Sequence, residues 1–249
     1  MAQQGQRPEV VAQREAVRSS LAQLIPMASP ESLQSLAQVA RFRTVAPGDA
    51  IYRQGEPVVL TLIQAGHAIS QRTTDEGHLV MADVGGPGLL FGYSAIADMP
   101  SSIAIIAMTQ CDVAQWHGRD LRPIFERDAR LAVFAASSLA ASLHTMIEKI
   151  DGYLHQDARR RVVRVLERYR DLFFAEQPVL NRSHLPGLVG TTREMTRRVL
   201  RQLEHEGTLT RVGRTGLVLL RPERLAEAER PQSRHSDHLA SEPTRARAS

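Results

Sequence analysis

The stretch Val189–Gly207, VGTTREMTRRVLRQLEHEG, decides the fold. At about 100° per residue it places Arg193, Glu194, Arg197, Arg198, Arg201 and Gln202 on one half of a helical wheel. Met195, Thr196, Val199, Leu200 and Leu203 fall on the other half. The second half is a core face; the first, with its four arginines, must meet water or something acidic. Gly190 makes a turn before this helix. Thr191 and Glu194 have the S/T-x-x-E spacing of a capping box, which fixes the helix start and leaves its first amides free for phosphate.

Upstream, NRSHLPGLVG reads as a short helix with Asn181 as its cap, and Pro186-Gly187 inside it predicts that it is short or kinked. Two helices joined by a tight Gly-containing turn form a helix-turn-helix, whose second helix enters the DNA major groove. Downstream, TLTRVGRTGLVLL reads as two strands around Gly213 to Gly216, a wing beside that helix. Before the pair, ARRRVVRVLERYRDLFF is one further amphipathic helix that Asp157 is suited to cap. Beyond Leu225 the chain is small, polar and broken by proline, which predicts a disordered tail that includes His235 and His238.

The segment before this C-terminal unit has a different period. Ala132, Ala136, Leu139, Leu143, Met146, Ile150 and Tyr153 follow steps of four and three, the seam of a two-stranded coiled coil. At 1.5 Å per residue such a helix runs roughly 39 Å and reaches beyond one small domain. GYLHQDARRR marks its break, with Gly152 weakening it. Between about residues 42 and 118 lie short apolar runs: AIYRQ, VLTLIQ, HAISQRT, HLVMADV, SIAIIAM and DVAQW. Turns at Gly48, Gly55, Gly66, Gly77 and Gly85 to Gly88 separate them, the pattern of a small barrel or jelly roll. The segment ESLQSLAQVARFRTV ahead of it reads as a helical lead.

Composition narrows the function. With 43% apolar and 23% charged residues in 249, the chain has the make-up of an ordinary globular protein with room for two cores. The polar opening MAQQGQRPEVVAQRE lacks the apolar stretch of a secretory signal, and no uncharged apolar run of about 18 residues occurs, so a cytoplasmic protein without a membrane span is expected. Cys111 is the one cysteine, which excludes an internal disulfide or a four-cysteine cluster within one chain; its setting is that of an inert core thiol. No metal site is expected. From Asp157 to Leu225 fifteen arginines face eight acidic residues, whereas residues 1 to 156 are slightly acidic. No P-loop, His-Glu-x-x-His helix or G-x-S-x-G elbow is present, which weighs against an enzyme.

GTTREMTRRVL resembles the recognition helix of the CRP/FNR family of bacterial transcription regulators. RQGEP at Arg53 to Pro57 and EKIDGYLHQD at Glu148 to Asp157 are similar to that family's β-roll turn and dimer-helix end, so the likeness spans roughly residues 22 to 222. It implies an α+β fold: an N-terminal β-roll of jelly-roll, cyclic-nucleotide-binding type, a long dimerisation helix and a C-terminal winged helix-turn-helix. The expected division is a lead at 1–20, the sensor roll at 21–126, the dimerisation helix at 127–156, the DNA-binding domain at 157–225 and the tail at 226–249. The implied partners are double-stranded DNA, a second copy of the chain and RNA polymerase.

The family's base-reading Arg-Glu-x-x-x-Arg falls on Arg193, Glu194 and Arg198. Arginine suits guanine N7 and O6, and glutamate accepts from cytosine N4. Arg182, Thr191, Thr192, Arg197, Arg201 and Arg214 are assigned to phosphates. The resemblance also implies a palindromic operator with TGTGA-like half-sites about one helical turn apart.

In cyclic-nucleotide-binding relatives a Gly-Glu pair and an Arg-Ser pair hold the ribose and cyclic phosphate. Here Gly92 matches, Tyr93 stands in place of the glutamate, Ser101 in place of the arginine, and Ser102 keeps its type. Met146 and Ile147 replace the hydroxyls that relatives offer the base. An anion buried without a cation bears a large desolvation cost, so cyclic AMP in the usual pose is not expected. Three readings stay open: an unidentified, more apolar or less charged effector; haem held by a histidine such as His67, His78 or His144; or a dimer scaffold without ligand. The rival overall function is an interaction module that does not read DNA.

Overall fold

The computed structural model describes residues 8–76 and 79–229. It opens with helices α1 (Pro8–Leu24) and α2 (Pro30–Val39). Ser29 caps α2 by accepting a hydrogen bond from the Ser32 amide at 3.1 Å. Val17 and Leu21 of α1 are buried in the same core as Leu36, Leu62, Trp116 and Leu121. The expected boundary between lead and roll therefore falls inside one helix. The Trp116 indole N–H donates to the Leu36 carbonyl at 2.8 Å, satisfying the one polar atom that its ring carries into this core.

Eight strands follow: β1 (Arg41–Val45), β2 (Ala50–Tyr52), β3 (Leu60–Ala65), β4 (Ala68–Thr73), β5 (Leu79–Gly85), β6 (Leu90–Phe91), β7 (Ala104–Ala107) and β8 (Cys111–Trp116). They form two antiparallel four-stranded sheets, β1-β8-β3-β6 and β2-β7-β4-β5. Six of the eight coincide with the apolar runs of the sequence. β1 lay within the expected helical lead, because RFRTV buries only Val45 and carries its arginines to solvent. β6 is two residues long, too short to show a period.

Between the sheets lies a core of Val45, Ile51, Ile63, Ala68, Ile105 and Val113. Cys111 belongs to it, fully buried, its Sγ–H donating to the His67 carbonyl at 3.2 Å. Burial raises its thiol pKa above the ordinary value, which keeps it protonated and unreactive.

After α3 (Gly118–Arg127) comes α4 (Ala129–His155), 27 residues or about 40 Å long. Asp128 caps it and is itself almost wholly buried, at 4% exposure. Its carboxylate accepts from Arg130 Nε at 2.7 Å and from the Ser29 amide at 2.9 Å, joining the starts of α2 and α4. The Arg130 contact, then the Ser29 amide, hold its pKa below the usual carboxylate range. The helix ends at His155, inside the GYLHQDARRR stretch read as its break, and holds the buried Gly152 in its last turn, since glycine costs propensity without removing a hydrogen bond. Among the described residues, α4 alone is long and apolar enough by composition to cross a bilayer.

The C-terminal unit comprises α5 (Ala158–Arg168), α6 (Arg170–Phe174), α7 (Leu185–Val189), α8 (Arg193–His205), β9 (Leu209–Val212), β10 (Gly216–Leu219) and α9 (Pro222–Glu229). Asp157 caps α5 by accepting from the Arg160 amide at 2.8 Å. The single helix expected over ARRRVVRVLERYRDLFF is interrupted at Tyr169, whose φ of −111° and ψ of 30° leave the helical region. The Tyr169 hydroxyl instead donates to Asp83 of β5. Helix α9 carries the fold beyond the expected start of the tail at 226, since Leu225 is fully buried. His235 and His238 lie outside the described residues.

The core of this unit, built on Val162, Leu166, Phe173, Leu180, Leu203 and Leu209, also takes in Ile69 of β4. Met81, Val84, Ile106 and Met108, partly buried, pack against it. The outer face of the second sheet is thus a wall of the winged domain.

Candidate nucleic-acid interface and ligand cavity

Helix α7 has only five residues, with Pro186 in its first turn, where a missing N–H costs little. Its expected cap, Asn181, instead closes a turn, its side chain accepting from the Ser183 amide at 3.0 Å. Gly190 ends α7 with φ of +65°, the left-handed conformation that the tight turn demands. Thr192, not Thr191, caps α8: its Oγ1 accepts from the Met195 amide at 3.1 Å. The position facing the cap is therefore Met195, and Glu194 forms no capping box with Thr191. The left-handed turn at Gly190 uses one more residue than the spacing suggested.

On α8, Thr196, Val199, Leu200 and Leu203 are buried. Arg193, Glu194, Arg197, Arg198, Arg201 and Gln202 are exposed, matching the two halves of the wheel. Met195 departs from it: assigned to the core face, it is 37% exposed, because at the first turn of α8 the core has already tapered off.

Four of the residues assigned to DNA, Arg182, Arg193, Arg197 and Arg214, line one groove of about 380 Å³ between α7, α8 and the wing. Arg211 lines it too and was not singled out from the sequence. Arg182 Nη2 donates to the Gly213 carbonyl at 3.4 Å and to that of Arg214, so this side chain also fastens the loop before α7 to the wing tip. Thr191, Thr192, Arg198, Arg201 and Glu194 lie outside the groove, on the free surface around the start and outer side of α8. The wing is oriented by Glu204. Its carboxylate accepts from Arg211 Nε at 2.8 Å and from the Arg211 amide at 3.1 Å, contacts that hold its pKa below the usual value.

Leu139, Leu143, Met146, Ile147 and Ile150 are 50 to 60% exposed along one side of α4. Tyr153, the last seam residue, has a second contact: an added Cβ at Gly190 would come within 2.6 Å of its ring. The Arg161 guanidinium stacks over the same ring, 5.6 Å from its centroid.

The β-roll, with α4 and α5 beside it, lines an open cavity of about 550 Å³. Gly92, Tyr93, Ser101 and Ser102, assigned from the sequence to an effector pocket, line it. Met146 and Ile147 do not. Leu139 and Ser142, two turns and one turn earlier on α4, stand at the cavity instead, because the helix passes the roll with that portion nearest. Gly92 has φ of +88°, and a Cβ there would meet the Val59 carbonyl oxygen at 2.4 Å, so the residue is dictated by the fold. Ser101 is buried, its Oγ donating to the Ile103 carbonyl at 2.5 Å. Burial lifts the Tyr93 hydroxyl above its ordinary pKa and pushes Tyr52 up to about 12, so both stay neutral.

Two lining residues come as a surprise: Asp83 of β5 and Arg168 of α5. Neither His67 nor His144 lines the cavity, and His78 lies outside the described residues. No group of three or more potential metal ligands occurs among the described residues.

The geometry agrees with comparisons to known proteins. Residues 42–128 match the model of the cyclic nucleotide-binding domain, and residues 152–228 that of the Crp-like helix-turn-helix domain; together these cover more than half of the chain. The cAMP-activated global transcriptional regulator Vfr of Pseudomonas aeruginosa is 25% identical over 199 residues, 74% of this chain and 91% of Vfr. The global regulator CRP of Haemophilus influenzae, also described as cAMP-activated, is 21% identical over 70% of this chain and 81% of its own length. Among solved structures, FixK2 from Bradyrhizobium japonicum shares the fold at a TM-score of 0.65 and 24% identity, covering 77% of this chain and 98% of FixK2. An arginine-faced second helix, a wing, a long apolar stalk and an eight-stranded roll, matched by both domain models, make this chain a member of the CRP/FNR family of DNA-binding transcription regulators.

Proposed function

We propose that the chain acts as a homodimer that binds a palindromic operator with TGTGA-like half-sites, one α8 entering each of two successive major grooves. The observation that carries this reading is the pairing of two unpartnered surfaces. The Arg193, Glu194 and Arg198 side of α8 is exposed, and so is the 3,4-spaced apolar side of α4. A second copy laid along Leu139, Leu143, Met146 and Ile150 accounts for the apolarity of α4 without a bilayer. Arg193, Glu194 and Arg198 read bases, while Thr191, Thr192, Arg197, Arg201 and Arg214 position phosphates, with Arg211 added to them and Arg182 acting through the wing tip as well. Residues 21–126 then sense, 127–156 dimerise and 157–225 bind DNA in a cytoplasmic, non-enzymatic regulator that works with RNA polymerase.

The effector differs from that of the cAMP-activated relatives. Ser101 replaces the phosphate-binding arginine and its hydroxyl is engaged by Ile103, so the roll itself supplies no cation to a cyclic phosphate. The cavity supports an effector of other chemistry over a ligand-free scaffold, since a volume of about 550 Å³ lies within the ~300–1,000 Å³ of small-molecule sites. Selection from random DNA with the purified protein, together with its mass in solution, tests the whole. An inverted repeat and a dimer are expected; a monomeric protein, or a pool without symmetry, rejects the proposal.

A further inference from the structure

The roll cavity ends on the winged domain. Its body is apolar, formed by Val58, Ile63, Leu90, Phe91, Ile103 and Ile105. Among the described residues that line it, Arg168 is the one base and Asp83 the one acid. Arg168 Nη2 lies 3.1 and 3.4 Å from the two Asp83 oxygens. That contact uses one nitrogen of the guanidinium, and no other hydrogen bond of this side chain occurs among the described residues, so Nη1 is left to donate to a second acceptor. Asp83 does not depend on Arg168 alone, because the Tyr169 hydroxyl also donates to it and Lys149 Nζ lies 3.8 Å away.

The electrostatics around Arg168 favour an anion. The same side chain lines a second cleft, between α4 and α5, together with Lys149, Arg161, Arg164 and Glu148, and Lys149 is itself paired with Asp83. A carboxylate or sulfonate brought to the rim of the cavity therefore meets a half-exposed guanidinium in a positive field, where a charge-assisted hydrogen bond is stronger than a neutral one. An uncharged apolar molecule gains the burial but not this contact.

We propose that the roll cavity binds a small molecule with an apolar body and one anionic head, the body among the roll side chains and the head on the Arg168 guanidinium through Nη1. The cation missing from the roll is supplied by the DNA-binding half of the same chain. This ligand class rests on the effector reading above and deepens it: occupancy is registered by a residue of α5 directly, and whatever strengthens the grip on the head alters the Asp83 contact that joins the two domains.

Two probes of nearly the same shape test it on the full-length protein: 1-anilinonaphthalene-8-sulfonate, an apolar acid, and N-phenyl-1-naphthylamine, its uncharged counterpart, each followed by fluorescence titration. The acid should bind at least about tenfold tighter than the neutral probe. Arg168→Gln should weaken the acid about tenfold and the neutral probe less than about twofold; Arg168→Lys, which keeps the charge but not the planar donor, should fall between. Ser70→Phe, which fills the cavity from β4, should weaken both. The proposal is overturned if neither probe binds, if Arg168→Gln shifts the two equally or not at all, or if Ser70→Phe leaves the acid unaffected, which would place it on surface arginines. Operator binding by the same proteins is scored separately, so loss of the DNA reading and loss of the ligand reading are told apart.

Discussion

Gly190→Ala isolates the joint between stalk and helix-turn-helix. With φ at +65°, an L residue there bears the left-handed penalty, about 1–2 kcal/mol. The new Cβ would also lie 2.6 Å from Tyr153 Cε1 and 3.0 Å from its Cζ, well inside van der Waals contact. Displacing a ring that also stacks under Arg161 is an overpacking problem of about 1–3 kcal/mol. The sum, about 2–5 kcal/mol, is a large part of the ~5–15 kcal/mol that stabilises a typical domain. Urea unfolding at one fixed protein concentration measures it, and a mobility shift reads the accompanying loss of operator affinity as α8 is re-aimed. In a Tyr153→Ala background the ring is gone, so Gly190→Ala should cost only the backbone part, a coupling of about 1–3 kcal/mol. The reasoning fails if Gly190→Ala costs under about 1 kcal/mol, or if its cost is the same with and without the ring.

Asp128→Ala removes the cap of α4 and the acceptor for Ser29 and Arg130, so thermal or urea unfolding should show a loss of about 2–4 kcal/mol. Because the folded pKa of Asp128 is depressed, its contribution is complete above the ordinary 3.8 and is lost as pH falls below it; the variant should show a shallower acid limb. His184 is held neutral by burial, its pKa below the ordinary 6.5, so the fold should lose stability as pH drops through and below 6.5, and His184→Gln should flatten that slope in a pH series of melting curves. Arg201→Gln removes one phosphate contact per half-site, so it should lower the slope of log K against log salt by about 2 and weaken all sequences alike, whereas Arg198→Ala should cost about 1–3 kcal/mol at one base position of each half-site; filter binding across a salt series and a set of operator variants distinguishes them. Glu204→Gln, which discharges the partner of Arg211, should weaken operator binding with little change in base preference, since it loosens the wing and not the base-reading face.

What the sequence disclosed follows from the range of the interactions concerned. Six strands of the roll, the apolar side of α4 and, Met195 apart, the two halves of α8 each express a local period, and those were legible. Cap positions depend on backbone geometry one residue at a time, so Thr192 took the role assigned to Thr191 once Gly190 adopted its left-handed turn. The break at Tyr169 answers a hydroxyl's attraction to Asp83, 86 positions away, which no window along the chain can detect. The cavity was half legible. Gly92, Tyr93, Ser101 and Ser102 came from alignment with a motif, but the choice of Leu139 and Ser142 over Met146 and Ile147 depends on where α4 passes the roll. Arg168 reaches the cavity only because two domains pack together, and one arginine among many on an amphipathic helix carries no local signal of it.

The shared wall between the second sheet and the winged unit has a consequence for how this molecule can be taken apart. Excising residues 157–229 would strip Ile69, Met81, Val84 and Ile106 from a core they help to close, leaving greasy surface on both fragments. The two halves should melt together as one cooperative body, and an isolated winged fragment should aggregate where the intact chain does not. Any swing of the reading head relative to the sensor must therefore peel apart an apolar seam together with the Asp83 contacts beside it, which sets a threshold that a signal has to overcome before the operator sees a difference.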